Sequence, residues 1–403
     1  MAKLRYPGEF SRFFTILFLS VFQAVVVAQP DSTAGPGRGH GYCMGIQAMY
    51  QNGYVFATNK FMKGVNAESV KINAFQAFSL KFAIQTTGKE PWEQSYKYPQ
   101  YGIGLYAADF FRHKEIGVPF GLYGFFNAPF SRWNRLVFNY ELGFGATFNW
   151  KSYNPVTNRY NVAIGAGESF LIDAGLNLQY LLADRIELQL GISLTHFSNG
   201  ALKEPNFGFN TLAPKLSIRY NFYDRPHFTR HQIPPCHKHN EWIFAFYGGA
   251  KNVIFDTLNL ALLEKYEGIY FPVFGISATF NRRLNYKSKI GIGMTISYNG
   301  AANAQAAVEL GELDADGGRF GDKIMVSIYP SYELVIHKAA ILIQPAFYVY
   351  RKKLVTQSPV FHQRIGFKYH LTDHLFMGIT LVAYKFHVSD FIEWSAGCNL
   401  NMK

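Results

Sequence analysis

The stretch RIELQLGISLTHFS, residues 185–198, alternates along its length: Ile186, Leu188, Leu190, Ile192 and Leu194 fall on one side, and Arg185, Glu187, Gln189, Ser193 and Thr195 on the other. Successive side chains of a strand point to opposite faces, so this segment has one apolar wall and one polar wall. It is long enough to cross a bilayer when tilted, which takes about 9–11 residues. Strands of soluble sandwiches are nearer five or six. The same pattern runs over 70–86, where Val70, Ile72, Phe78, Leu80, Phe82 and Ile84 oppose Lys71, Asn73, Ser79, Lys81 and Gln85. Working outward, segments of this kind are expected near 44–56, 98–110, 116–129, 134–149, 168–181 and 209–222. In the second half they are expected near 240–255, 269–281, 287–299, 321–335, 338–351, 360–371, 374–388 and 391–401. With the two segments first described, that makes about 16 antiparallel strands.

Composition agrees with a wall exposed to something other than water. Charged residues are 16% of the 403, below the roughly 25% of an ordinary soluble domain, and aromatics reach 17%. That balance excludes disorder, which needs many charges and few aromatics. A helical membrane protein is excluded as well, because after the N-terminus no stretch approaches the ~20 apolar residues of a spanning helix. The three cysteines, Cys43, Cys236 and Cys398, are too few and scattered for a disulfide framework.

The N-terminus reads as an export signal. Lys3, Arg5 and Arg12 precede an apolar run from Phe13 to Ala28, and Val26-Val27-Ala28 supplies small residues for cleavage. A signal peptide over 1–28 and a leader over 29–40 are expected, with an N-terminal anchor helix as the alternative. Removing 1–28 lowers the net charge from +12 to about +10. An even number of amphipathic strands behind an export signal describes an all-β transmembrane outer-membrane β-barrel. The alternative is a secreted or periplasmic β-protein.

Two halves are visible. Gly102-Ile103-Gly104 stands 78 residues before Tyr180-Leu181-Leu182-Ala183-Asp184, and Gly291-Ile292-Gly293 stands 78 residues before Tyr369-His370-Leu371-Thr372-Asp373. Between the halves, Asp224 to Asn240 has the proline and polar content of a joint. Halves of 41–223 and 241–403 follow. They form one large barrel with an aqueous or plugged lumen, or two fused eight-stranded barrels filled by their own side chains. The joint and the aromatic ending Tyr220-Asn221-Phe222 favour two barrels. Duplication within one larger barrel is the simpler assembly and is the expectation here. His227, His231, Cys236, His237 and His239 crowd the joint, but their spacing matches no standard structural zinc pattern. A solvated periplasmic loop is expected, and no metal or cofactor.

One apolar wall breaks its own rule. The face of 186–194 continues into His196 and Ser198, and the apolar face of the next strand (Leu212, Pro214, Leu216, Ile218, Tyr220) is headed by Asn210. If the chain enters from the periplasm, the seventh strand runs outward. His196, Ser198 and Asn210 then meet on the outside wall at outer-leaflet height. Polar groups facing lipid are costly, which favours a functional reason. Against this, strand ends rise into the wet headgroup zone, where such residues need no explanation.

The motif His196-Phe197-Ser198-Asn199 followed by Pro205-Asn206-Phe207-Gly208 closely resembles that of PagL-type lipid A 3-O-deacylases, over roughly residues 40–222. The resemblance implies an eight-stranded outer-membrane barrel that hydrolyses an ester-linked acyl chain of lipopolysaccharide. It implies Ser198 as nucleophile, His196 as general base and Asn199, with backbone N–H groups of the 199–201 turn, as oxyanion stabiliser. The family's orienting Glu falls here on Asn210. An amide can hold an imidazole in place but supplies no charge to an imidazolium. Glu168, at the outer end of the sixth strand's apolar face, is a candidate substitute if the 181–184 turn is tight.

The second half has no His-x-Ser-Asn. His387 and Ser389 stand two apart near Asp390 and Glu393, and strands completing a barrel are the expected role. Arg112, Lys114, Lys151 and Lys203, with His113 and Arg159, lie in expected outward loops where lipid A phosphates would be. The expected partners are therefore lipopolysaccharide/lipid A and outer-membrane lipids, with no nucleic acid; a homo-oligomer is left open. The runner-up function is a non-catalytic porin or channel-type barrel, in which Asn210 marks lost activity. An adhesion or structural barrel is a third.

Overall fold

The computed structural model describes residues 43–402 apart from 225–227, 229, 231, 254–258, 267, 313–318, 354–358 and 385–387. The expected signal peptide and leader, and His227, His231 and His387, lie outside the described residues. Sixteen strands form where the period-2 pattern places them. The first eight are β1 (Cys43–Val55), β2 (Ala74–Gln85), β3 (Gln100–Asp109), β4 (Gly117–Trp133), β5 (Leu136–Trp150), β6 (Ser169–Ala183), β7 (Ile186–Ser198) and β8 (Phe209–Asn221). The second eight are β9 (Asn240–Lys251), β10 (Phe271–Arg283), β11 (Ser288–Asn299), β12 (Ile324–Ile336), β13 (Ala339–Tyr350), β14 (Phe361–His370), β15 (Leu375–Tyr384) and β16 (Val388–Met402). No helix among the described residues is long and apolar enough to cross a membrane.

The expectation of a single sixteen-stranded barrel is overturned. β8 pairs back onto β1, from Gly45↔Asn221 to Val55↔Thr211, and β16 pairs back onto β9, from Trp394↔Gly248 to Met402↔Asn240. The result is two closed antiparallel barrels of eight strands. The reason is edge satisfaction: once β1 takes the free N–H and C=O groups of β8, none remain for β9 to pair with. Eight strands also enclose an interior just wide enough for side chains to fill.

The first barrel is filled along its length. At the end carrying the long loops, Phe75, Phe110, Trp150, Phe197 and Phe209 form an aromatic plug with several ring centroids 5.0–6.2 Å apart. Below it, Glu141 lies 2.5 Å from Lys81 and 3.2 Å from Lys215, and Thr195 Oγ1 donates to Asp173 at 2.7 Å. Toward the opposite end, Gln47 donates to Gln189 and Ser217, both at 2.7 Å, and Gln51 to Ser193 at 2.6 Å. The polar odd-numbered face of β7 thus points into this interior. Its even face, with Leu190, Ile192 and Leu194, is exposed, as are Ile103 and Leu105 of β3 at 57% and 58%. Large exposed apolar residues repeated around a closed barrel are what a lipid-facing wall requires.

The second barrel is built alike. Arg364–Glu393 (2.6 Å), Lys368–Glu333 (2.8 Å) and Lys289–Glu241 (2.6 Å) pair inside it, while Phe246, Ile276 and Ile292 are exposed outside. The repeated Gly-x-Gly now has a physical meaning. Both copies lie on the third strand of their barrel. A Cβ on Gly104 would come within 2.6 Å of the Tyr123 ring, and one on Gly293 within 2.6 Å of the Tyr329 ring. In each barrel the glycine makes room for an inward tyrosine of the fourth strand.

Candidate functional site

The site is assembled at the loop end of the first barrel's outer wall. β7 and β8 are in register so that His196 lies directly opposite Asn210, which brings such side chains to Cβ distances of about 4.5–5.5 Å. Nδ1 of His196 lies 2.8 Å from Asn210 Oδ1. A carbonyl oxygen can only accept, so the ring carries its proton on Nδ1 and leaves Nε2 as the basic nitrogen. Ser198 is two residues further along the same wall, and unlike the leucines below it on that face it is buried.

The turn after β7 holds Ser198 in place. Asn206 reaches back with both ends of its amide: Nδ2 donates to Ser198 Oγ at 2.8 Å, and Oδ1 accepts from the backbone N–H of Asn199 at 3.2 Å. Asn206 is itself set by a hydrogen bond from its N–H to Glu204 Oε2 at 2.7 Å. Gly208 then passes close to the imidazole. Its φ is +68°, and a Cβ there would lie 2.8 Å from Phe197 O and 3.1 Å from His196 Cε1. Only glycine combines the left-handed backbone with that approach. The 151–168 connection between β5 and β6 locks this segment, since the N–H groups of Phe207 and Gly208 donate to Val162 O (3.1 Å) and Ala163 O (2.9 Å). That loop is fixed in turn by the buried Asn161, whose Nδ2 donates to Glu115 O at 2.9 Å and Lys151 O at 2.7 Å.

Asn206 and Gly208 therefore act on the serine and the imidazole, roles that spacing alone does not assign. The available signal was their place in the Pro-Asn-x-Gly segment. Glu168 is placed differently from the expectation. Across β6 and β7, Ile172 lies opposite His196 and Phe170 opposite Ser198, so Glu168 precedes β6 and stands beyond the level of Ser198. It is exposed, and no hydrogen bond or ion pair of it is found among the described residues. The cause is the turn: β6 continues to Ala183 and β7 starts at Ile186, with a register shift between Leu181 and Ala183.

Of the basic candidates, Lys114, Lys151 and Lys203 are exposed in loops at this end. Arg112 is already committed to Glu68 at 2.8 Å, with 19% of its side chain exposed. The four connections at this end (56–73, 110–116, 151–168, 199–208) carry eight Lys or Arg against four Glu. In the joint, His237 and His239 stack with centroids 6.2 Å apart. In the second barrel, Asp390 lies 2.7 Å from Lys251 and Glu393 2.6 Å from Arg364, so both acids near Ser389 are ion-paired.

Residues 76–221 match the lipid A 3-O-deacylase (PagL) family, and residues 240–402 match the acyloxyacyl hydrolase C-terminal domain. Among solved structures, the outer membrane enzyme PagL is 13% identical over 43% of this chain and 97% of its own, with a TM-score of 0.28. Neisserial surface protein A is 7% identical over 46% of this chain and 100% of its own, with a TM-score of 0.29. The outer membrane protein Omp33 of Acinetobacter baumannii is 7% identical over 91% of this chain and 100% of its own, with a TM-score of 0.16. No curated protein matches the chain.

Proposed function

The chain belongs to the lipid A 3-O-deacylase (PagL) family, and from that premise we propose that it is an outer-membrane esterase that removes an ester-linked acyl chain from lipid A, with Ser198 as nucleophile and His196 as general base. The observation that carries this reading is the pair of hydrogen bonds that hold two side chains of one wall, two residues apart: Asn210 Oδ1 on His196 Nδ1, and Asn206 Nδ2 on Ser198 Oγ. Nε2 of His196 takes the Oγ proton as Ser198 attacks the ester carbonyl. Asn206 Nδ2 steadies Ser198 Oγ during the attack, and Asn199 supplies a donor to the oxyanion that develops on the substrate carbonyl, two bonds from Oγ. Collapse of the tetrahedral intermediate returns the proton from His196 to the departing sugar oxygen. Water, activated by the same imidazole, then hydrolyses the acyl-serine and releases the fatty acid.

The setting supports the substrate. Scissile esters of a membrane glycolipid sit at the border of headgroup and hydrocarbon, and His196 and Ser198 cap an apolar wall at that height. The basic excess of the surrounding loops suits a phosphorylated headgroup, with Lys114, Lys151 and Lys203 as candidate contacts. The test is mass spectrometry of lipid A from bacteria expressing the full chain. Loss of one acyl mass that disappears with Ser198→Ala is expected. Unaltered lipid A from cells with folded wild-type protein in the outer membrane overturns the assignment.

A further inference from the structure

We propose that the second barrel carries, on its membrane-facing wall, a binding groove for one hydrocarbon chain of a glycerophospholipid. The inference takes from the proposed function only its membrane setting and is independent of the esterase chemistry. A cavity of about 790 Å³ opens on the outer face of β9–β11, β15 and β16. Register explains its shape. Ala396 of β16 lies between Met377 of β15 and Phe246 of β9, and Cys398 lies between Leu375 and Phe244. Two small side chains thus form the floor, and long ones from both neighbouring strands form the walls. The walls stand two strand spacings apart, roughly 10 Å, room for a single alkyl chain.

The lining sorts among occupants. Apart from the Ser277 hydroxyl, the Cys398 thiol and the weakly accepting sulfurs of Met294 and Met377, the lining side chains are hydrocarbon, so a headgroup, sugar or peptide would enter with most of its polar groups unsatisfied. A stable protein partner needs some 20–30 residues a side, and this concavity is lined by fifteen. Along β16 the outward row continues to exposed Trp394 at one end and Leu400 at the other. The six steps between them, at about 3.3 Å each, span about 20 Å, against about 15 Å for half of a ~30 Å hydrocarbon core. Leu371 places the groove next to the 371–374 turn. Short turns of outer-membrane barrels face the periplasm, which selects the glycerophospholipid leaflet over the lipid A leaflet.

The test is native mass spectrometry of the full-length protein extracted from membranes containing both phosphatidylethanolamine and lipid A. Retention of one phosphatidylethanolamine per wild-type chain is expected. At least fivefold lower occupancy is expected in Ala396→Trp, with an intermediate value in Ala396→Leu, both verified as folded by heat-modifiable gel mobility. Equal occupancy in all three proteins overturns the proposal, as does retention of lipid A instead. A wild-type dimer that becomes monomeric in Ala396→Trp also overturns it, because the occupant is then a second copy. Lipid A deacylation, measured on the same samples, separates the two readings: retained phospholipid without deacylation leaves the groove standing and removes only the esterase.

Discussion

Asn210 holds the base of the proposed esterase with a neutral group. Its Oδ1, 2.8 Å from His196 Nδ1, fixes the tautomer and the ring plane, but when the imidazole takes the serine proton no carboxylate stands behind the new positive charge. A neutral hydrogen bond contributes about 0.5–1.5 kcal/mol and one to a charged group about 1.5–3 kcal/mol. Asn210→Ala is expected to lower kcat/KM on lipid A about tenfold, and Asn210→Glu to raise it about tenfold above wild type. Initial rates on purified lipopolysaccharide, followed by release of free fatty acid, check both; an Asn210→Glu variant slower than wild type rules out an orienting role for this position. His196, Ser198 and Asn210 were legible in the sequence because they interrupt an apolar period-2 wall. The roles of Asn206 and Gly208, though both stand in the motif, were not, since one acts through a side chain folded back across a turn and the other through a positive φ and a missing Cβ. Neither property leaves a periodic trace.

At the scale of strands, the hydrophobic alternation located all sixteen elements, because a lipid-facing wall and a polar interior impose opposite demands on neighbouring residues. What alternation does not encode is where a hairpin turns. The regular pairs of β6 and β7, Phe170↔Ser198 through Leu181↔Glu187, are centred on Asp184, and one shifted pair leads into the turn. A turn centred two residues earlier would carry the β6 partner of His196 loopward toward Glu168, which is how that residue became a candidate acid. With Ile172 in that position instead, Glu168 is left exposed in the connection before β6. Glu168→Gln is therefore expected to change the deacylation rate by less than about twofold, as a surface substitution away from packed features does. The same lipid A mass-spectrometric assay measures it. A loss comparable to that of Asn210→Ala would mean that the carboxylate reaches the imidazole when substrate is bound.

At the scale of the whole chain, one barrel or two was not decidable from the strands themselves, because either closure buries the same faces and pairs the same neighbours except at β1, β8, β9 and β16. The interior decides what each closure can do. In the first barrel the aromatic plug, the Glu141 pairs with Lys81 and Lys215, and the glutamine-serine network follow one another from the loop end to the turn end. A conducting pore needs continuous water, and these residues fill the space it would occupy. Glu141 is the centre of this packing: it is 2% exposed and compensates two buried ammonium groups. Removing one partner of a buried ion pair costs about 3–5 kcal/mol, because the remaining charge stays desolvated. Glu141→Gln leaves both lysines without their carboxylate, so its unfolding free energy, read from urea titration in lipid bilayers, is expected to fall by that amount. The double variant Glu141→Gln/Lys81→Met should recover part of the loss by removing one orphaned charge. The wild-type protein in planar bilayers is expected to show no unitary conductance. If Glu141→Gln instead kept its stability and conducted ions, the network would be lining a gated passage, and the channel reading would replace the filled-barrel one.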